Sequence, residues 1–153
     1  MVMTSVQIKS QKWLQETYDA ESICLMSADA VWRHQKIAKE QKEATIVLAD
    51  DRFIQELNYK FRNKNEPTDV LSFPADNTEN LSGDEFPSLG DIVLAFETTK
   101  KEVINSFSSH LSHLVVHGCL HLLGYDHQEN KQAVLMESIE VKILSSMGID
   151  NPY

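Results

Sequence analysis

Cysteine is nearly absent from this chain: Cys24 and Cys119 are the two in 153 residues. They stand far apart, form no C-x-x-C pair and are too few to staple a small secreted scaffold. A reducing cytoplasm is the expected setting, with Cys119 a small buried residue. Long apolar runs are also missing. Nowhere do about eighteen apolar residues follow one another, which excludes a membrane-spanning helix of the usual length. The opening MVMTSVQIKSQKW has no apolar stretch of the signal-peptide kind. The expectation is a soluble, unexported protein with no membrane partner.

Positive charge is in short supply. Lys and Arg number 14 against 23 Asp and Glu, for a formal net charge of −9. Proteins that grip nucleic acid through their overall potential need clustered Lys and Arg to neutralise phosphates, so this balance excludes binding by bulk charge. It leaves room for a local basic site or a bound cation, because many of the acids fall in the stretch 76–85 and near the C-terminus.

There is no repeat, no low-complexity tract and no linker long enough to separate two domains. With 42% hydrophobic residues, residues 1–153 are long enough to bury one substantial core, and a single domain is expected. Residues 4–8 read as an edge strand, Ala28–Lys42 as an amphipathic helix, and Ala44–Ala49 (ATIVLA) as a short buried strand. That order makes a β-α-β unit. Asp50 or Asp51 caps a helix carrying Phe53, Ile54, Leu57 and Phe61 at helical spacing, which Asn65-Glu66-Pro67 ends. Asp69–Phe73 (DVLSF) is strand-like, and Pro74 stops it. Residues 75–89 read as a surface loop, Asp91–Phe96 (DIVLAF) as another strand, and everything after Glu97 as helix. The expected fold class is α/β (α+β): one small mixed sheet of about four strands packed by helices.

Histidine is where the chemistry concentrates. Five of six (His110, His113, His117, His121, His127) fall within eighteen residues, where proportion alone predicts about 0.7. Leu111, Leu114, Val115, Leu122 and Leu123 mark the core face of a helix, while His113, His117 and His121 recur every four residues along one stripe. Two histidines at i and i+4 can present nitrogens to one metal ion, and Gly124 supplies the left-handed turn that ends the helix and brings His127 back as a third ligand. An isolated H-x-x-x-H is short and often accidental; the full H-x-x-x-H-x-x-G-x-x-H is a metal pattern. Three neutral imidazoles without a fourth protein ligand describe an open, catalytic site holding one Zn2+ per chain, since structural zinc sites are closed by four. His110 and His113 read as satisfied surface or supporting histidines, with His113, one turn before His117, the better placed to touch the site.

Zinc peptidases use the same spacing, with a glutamate directly after the first histidine as general base. Here that position is Gly118, so proteolysis ranks below other hydrolysis.

The segment His117–His127 (HGCLHLLGYDH) is similar to the signature of the YbeY family of bacterial rRNA-maturation endoribonucleases. Leu57–Pro74 (LNYKFRNKNEPTDVLSFP), Leu89-Gly90-Asp91-Ile92 and Met147–Tyr153 (MGIDNPY) resemble that family in the same order. The likeness runs from roughly Ala44 onward. It implies an α/β fold, zinc on His117, His121 and His127, and an important arginine at Arg62. It further implies single-strand-specific cleavage of RNA, 16S rRNA 3′-end maturation, rRNA processing and ribosome quality control. The implied partners are ribosomal RNA, the small ribosomal subunit with its proteins, and an assembly GTPase. The acidic residues Asp84 and Glu85 are weakly patterned against the family, and Cys119 occupies a variable place in the signature.

Phosphodiester cleavage builds negative charge on phosphorus oxygens, and arginine, always charged and able to hold two oxygens at once, suits it. Lys60 and Lys64 flank Arg62 as a small basic patch. Asp69 and Ser72 are candidates to position water or RNA, Thr68 reads as a turn residue, and Asp126 either orients the imidazole of His127 or serves the turn. Tyr59, Phe61 and Phe73 are candidate base-stacking platforms, with core packing the expected role of Phe61 and Phe73. Met136–Leu144 reads as a C-terminal helix packed on the core. Competing readings are a non-catalytic ribosome-assembly factor stabilised by zinc, a zinc peptidase, and a small-molecule hydrolase.

Overall fold

Burial on both faces picks out the centre of the sheet. From Ile46 to Ala49 every residue of one strand is buried, and from Ile92 to Ala95 every residue of another. Period-2 side chains alternate between faces, so such runs need cover on both sides. The computed structural model, which describes residues 1–75 and 86–153, supplies that cover. Its elements are β1 (Met3–Ile8), α1 (Lys12–Glu16), α2 (Ala20–His34), β2 (Glu43–Ala49), α3 (Asp51–Arg62), β3 (Val70–Pro74), β4 (Ser88–Ala95), α4 (Phe96–Glu102), α5 (Phe107–Leu122) and α6 (Asn130–Ser146). The four strands lie in the order β1-β2-β4-β3, with β1, β2 and β4 parallel and β3 antiparallel to β4. This is the mixed sheet expected, with β1 on an edge.

Ile46, Leu48, Ile92 and Leu94 face a large core built with α2, α5 and α6. Val47, Ala49, Val93, Ala95 and Leu71 face a smaller one closed by Ile54 of α3, with Phe53 and Leu57 packed against it. No helix of the described residues is long and apolar enough to cross a membrane.

Several boundaries differ from the sequence expectation. The helix expected over Ala28–Lys42 is α2, which starts eight residues earlier and stops at His34. Its buried residues Ala20, Cys24, Ser27, Ala28, Val31 and Trp32 carry the apolar stripe backward, and Lys36 at φ 62° breaks the helix before Ile37. The short α1 was not foreseen; its Trp13 is fully buried and donates Nε1–H to the Ala49 carbonyl at 2.8 Å. β3 includes Pro74 as its last residue, tolerated on an edge strand. β4 begins at Ser88, inside the expected loop, and Phe96 opens α4 instead of ending the strand. Residues 76–85 of that loop, Asp84 and Glu85 included, lie outside the described residues. The region after Glu97 is three helices, and Met136–Leu144 falls within α6.

Two glycines set the close approaches that position the site. Gly118 of α5 lies against the sheet: a β-carbon there would sit 2.8 Å from Ile92 Cγ2 and 3.3 Å from Ser72 Oγ. Gly90, opposite Pro74 in the β3–β4 pair, has φ +128°, and a β-carbon would meet the Phe73 carbonyl oxygen at 2.2 Å. A side chain at Gly90 therefore suffers both backbone strain and a clash with an atom that cannot move alone. Gly90→Ala is expected to lower unfolding free energy by at least about 2 kcal/mol, read as a reduced denaturant midpoint. An unchanged midpoint would remove this account of the β3–β4 edge.

Candidate metal centre

α5 has to bury one face and offer another. Ser106 starts it, accepting the backbone N–H of Ser109 at 3.3 Å. Leu111, Leu114, Val115 and Leu122 are buried, as are Gly118 and Cys119, while His113, His117 and His121 stand on the partly covered flank. After Leu122 the Tyr125 N–H returns to the Leu120 carbonyl at 3.1 Å, and Gly124 adopts φ 99°, a conformation few other residues take without strain. The Tyr125 hydroxyl donates to Gln35 Oε1 at 2.9 Å, tying this turn to the end of α2. Asp126 Oδ1 accepts the backbone N–H of His127 at 2.7 Å and lies 3.9 Å from its ring Nδ1. The chain thus doubles back and sets His127 beside the helix.

His117, His121 and His127 each offer a ring nitrogen, all within 4.8 Å of one another. The Nε2 atoms of His117 and His121 are 3.1 Å apart. A tetrahedral divalent ion with metal–nitrogen bonds of about 2.0–2.1 Å spaces its ligand nitrogens by about 3.3 Å, so the cluster fits such an ion. Burial, then the neighbouring His117 and His127, lowers the pKa of His121, which favours the neutral imidazole that a metal requires.

The tautomer of His117 is set from behind. Its Nδ1 lies 3.0 Å from Oε1 of Glu140, a fully buried carboxylate on α6. An N–H donated there leaves the Nε2 lone pair facing the cluster. Glu140 also lies 3.3 Å from His113 Nε2 and accepts the Tyr153 hydroxyl at 2.7 Å. Burial alone would raise its pKa, but the bonds from His113, His117 and Tyr153 outweigh it and hold the carboxyl at about 2. His113 therefore touches the carboxylate that orients His117, whereas His110 turns toward Glu102 at 3.4 Å.

Glu140 is the residue that sequence reasoning missed. A signal was present: it sits between the buried Ile139 and Ile143, four residues after the buried Met136. A carboxylate on the apolar stripe of a core helix needs a buried partner.

The triad opens onto a cavity of about 640 Å³ whose opposite wall is the last turn of α3 and the strand β3. Phe61, Arg62, Asp69 and Ser72 all line it. Arg62 is the final residue of α3, before Asn63 at φ 57°, and among the described residues it makes no ion pair. The buried Asn58 donates Nδ2–H to the Glu66 carbonyl at 2.8 Å and pins the loop behind it. Asp69 accepts the Val70 N–H at 2.7 Å. Glu102, raised to about 7 by burial and then by Asp69, lies beside it. Ser72 donates its hydroxyl to the Gly118 carbonyl at 3.0 Å.

Phe61 is not in the core. It is 59% exposed, its ring centroid 5.4 Å from that of Phe73. It continues the stripe of Phe53, Ile54 and Leu57, but the last turn of α3 stands over the cavity, so the cover that the sheet gives Ile54 is missing. Phe73 is partly buried against the smaller core, and Tyr59 is exposed. Gly118, where a peptidase would carry its glutamate, faces Ile92 and has no space for any side chain.

Comparison with known proteins finds relatives across nearly the whole chain. The family described as endoribonuclease YbeY matches residues 5–148. The chain is 41% identical to the endoribonuclease YbeY of Rhodopseudomonas palustris strain BisB18, covering 98% of this chain and 91% of the relative. It is 46% identical to that of Agrobacterium fabrum strain C58, covering 78% and 72%. The solution structure of TM1509 from Thermotoga maritima is similar with a TM-score of 0.55 at 28% identity, over 95% of this chain and 87% of that one. On sequence and fold, the chain belongs to the endoribonuclease YbeY family.

Proposed function

We propose that this protein is a zinc-dependent, single-strand-specific endoribonuclease of the cytoplasm, acting on ribosomal RNA in 16S 3′-end maturation, rRNA processing and ribosome quality control. One observation carries the reading: a cavity places three convergent imidazoles opposite an arginine that makes no ion pair among the described residues. The names of the relatives, and the match with their family, support the RNA substrate. The small ribosomal subunit, its proteins and an assembly GTPase are the partners that go with it.

Zinc bound by His117, His121 and His127 supplies Lewis acidity toward the phosphodiester and toward water. The remaining work falls to side chains. Arg62 holds phosphate oxygens with two parallel N–H donors. Glu140 keeps His117 in one tautomer, so the ligand nitrogen needs no reorganisation. Phe61 offers an exposed ring to a base, which requires that the base be unstacked. A net charge of −9 discourages long electrostatic tracks along duplex backbone, so recognition rests on this local site.

Two outcomes test the reading. Zinc added to metal-stripped protein is expected to raise Tm by about 5–10 °C at concentrations near 100 Kd, and His121→Ala or His127→Ala to erase most of that rise. Equal rises in the variants would place the metal elsewhere. In gel-resolved cleavage of single-stranded 16S 3′ RNA, Arg62→Ala is expected to lose about 10²–10³ in kcat with zinc content unchanged. RNA that is bound but left uncut by zinc-loaded wild type would favour the assembly-factor reading.

A further inference from the structure

The segment after α6 brings Tyr153 onto Glu140 and His113, behind the metal centre. Gly148 takes φ 76°, and the Ile149 N–H closes on the Leu144 carbonyl at 2.9 Å, turning the chain back toward α5. Ile149 packs against the large core. Asn151 Oδ1 accepts the Tyr153 N–H at 2.8 Å, which fixes the approach of the last residue. The Tyr153 ring meets His113 edge-on, with centroids 5.4 Å apart, and its hydroxyl reaches Glu140 Oε2 at 2.7 Å and Oε1 at 3.0 Å.

Hydrogen-bond capacity shows what this hydroxyl does. Oε1 of Glu140 receives His117 Nδ1 at 3.0 Å and His113 Nε2 at 3.3 Å, so both histidines approach the same oxygen. The shortest contact of Oε2 runs to Tyr153. A buried carboxylate oxygen left without a donor costs far more than an exposed one. Without the hydroxyl, the carboxylate gains by turning to share its two histidine donors between its two oxygens. That turn draws the His117 ring away from the orientation in which Nε2 faces His121 and His127.

We propose that Tyr153 is a positioning residue for the metal centre, acting through Glu140 to hold His117 in its ligand orientation. The inference rests on the metal reading of the three histidines, and its readout is metal affinity, which is separate from RNA cleavage. It makes a surface segment a determinant of the affinity of a site whose ligands all lie on α5 and the turn that follows it.

The test is zinc affinity, measured on the full chain by competition with a chromogenic chelator. Tyr153→Phe keeps the ring on His113 and removes the hydroxyl; it is expected to raise Kd about 10-fold, and Glu140→Gln by about 10–100-fold. Coupling is the decisive feature. In the Glu140→Gln background, Tyr153→Phe is expected to add less than about 2-fold, because the route through the carboxylate is already cut. The ring nitrogens of His117 give a second, spectroscopic readout: 15N shifts of zinc-loaded wild type are expected to show a strongly hydrogen-bonded Nδ1–H that weakens in Tyr153→Phe. Wild-type affinity in Tyr153→Phe would overturn the proposal, as would a 10-fold loss repeated in both backgrounds, which is the pattern of mere packing. A wild type that binds no zinc would overturn the metal reading and this inference with it.

Discussion

The approach of α5 to the sheet at Gly118 governs the rest of the site. A helix carrying any side chain there would ride higher on Ile92, and a shift of even half an ångström alters both sides of the cavity at once. The close contact lets Ser72 bond the Gly118 carbonyl, which sews the metal helix to the edge strand β3. One wall of the cavity is then α5 and its turn, the other β3 with the end of α3. Their separation is a packing distance, fixed as rigidly as a core contact, and interiors of protein density do not deform continuously. The same contact disposes of peptidase chemistry, since the position that would supply a general base is occupied by the sheet.

One buried carboxylate and one arginine carry the electrostatics of the site inside an acidic molecule. Surface acids solvate cheaply and leave the interior untouched. Inside, one carboxylate is taken out of water and given three donors, so its charge is directed at two imidazoles. Arg62 lines the cavity from the far side and makes no ion pair among the described residues.

Much of this was legible in the amino-acid order because its signals are local. The β-branched runs that became β2 and β4, the four-residue recurrence of histidine and the glycine that turns the chain at Gly124 each involve residues a few positions apart. Arg62 was legible only through family resemblance, since nothing within α3 distinguishes it from a helix-capping arginine. What escaped depended on contacts between distant segments. Glu140 and His117 are 23 positions apart, and Tyr153 lies a further 13 beyond Glu140. The extent of α2 was misjudged because small residues such as Ala20 and Ser27 mark a buried face weakly. Phe61 was assigned inward because periodicity reports which side of a helix is apolar and is silent about where the supporting sheet ends.

The reversal at Gly124 has a consequence for how the site comes into being. His117 and His121 are pre-spaced by one helical turn, and His127 arrives after a turn of a few residues, so all three donors lie within eleven positions. Closing so short a segment costs little chain entropy, and most of that cost is met when α5 docks on its core. The ion therefore has small leverage over the topology: it bridges neighbours along the chain instead of clasping remote segments together. Spacing of this kind leaves the holding of the fold to the core, so a metal at the cluster would be a guest of a chain already folded.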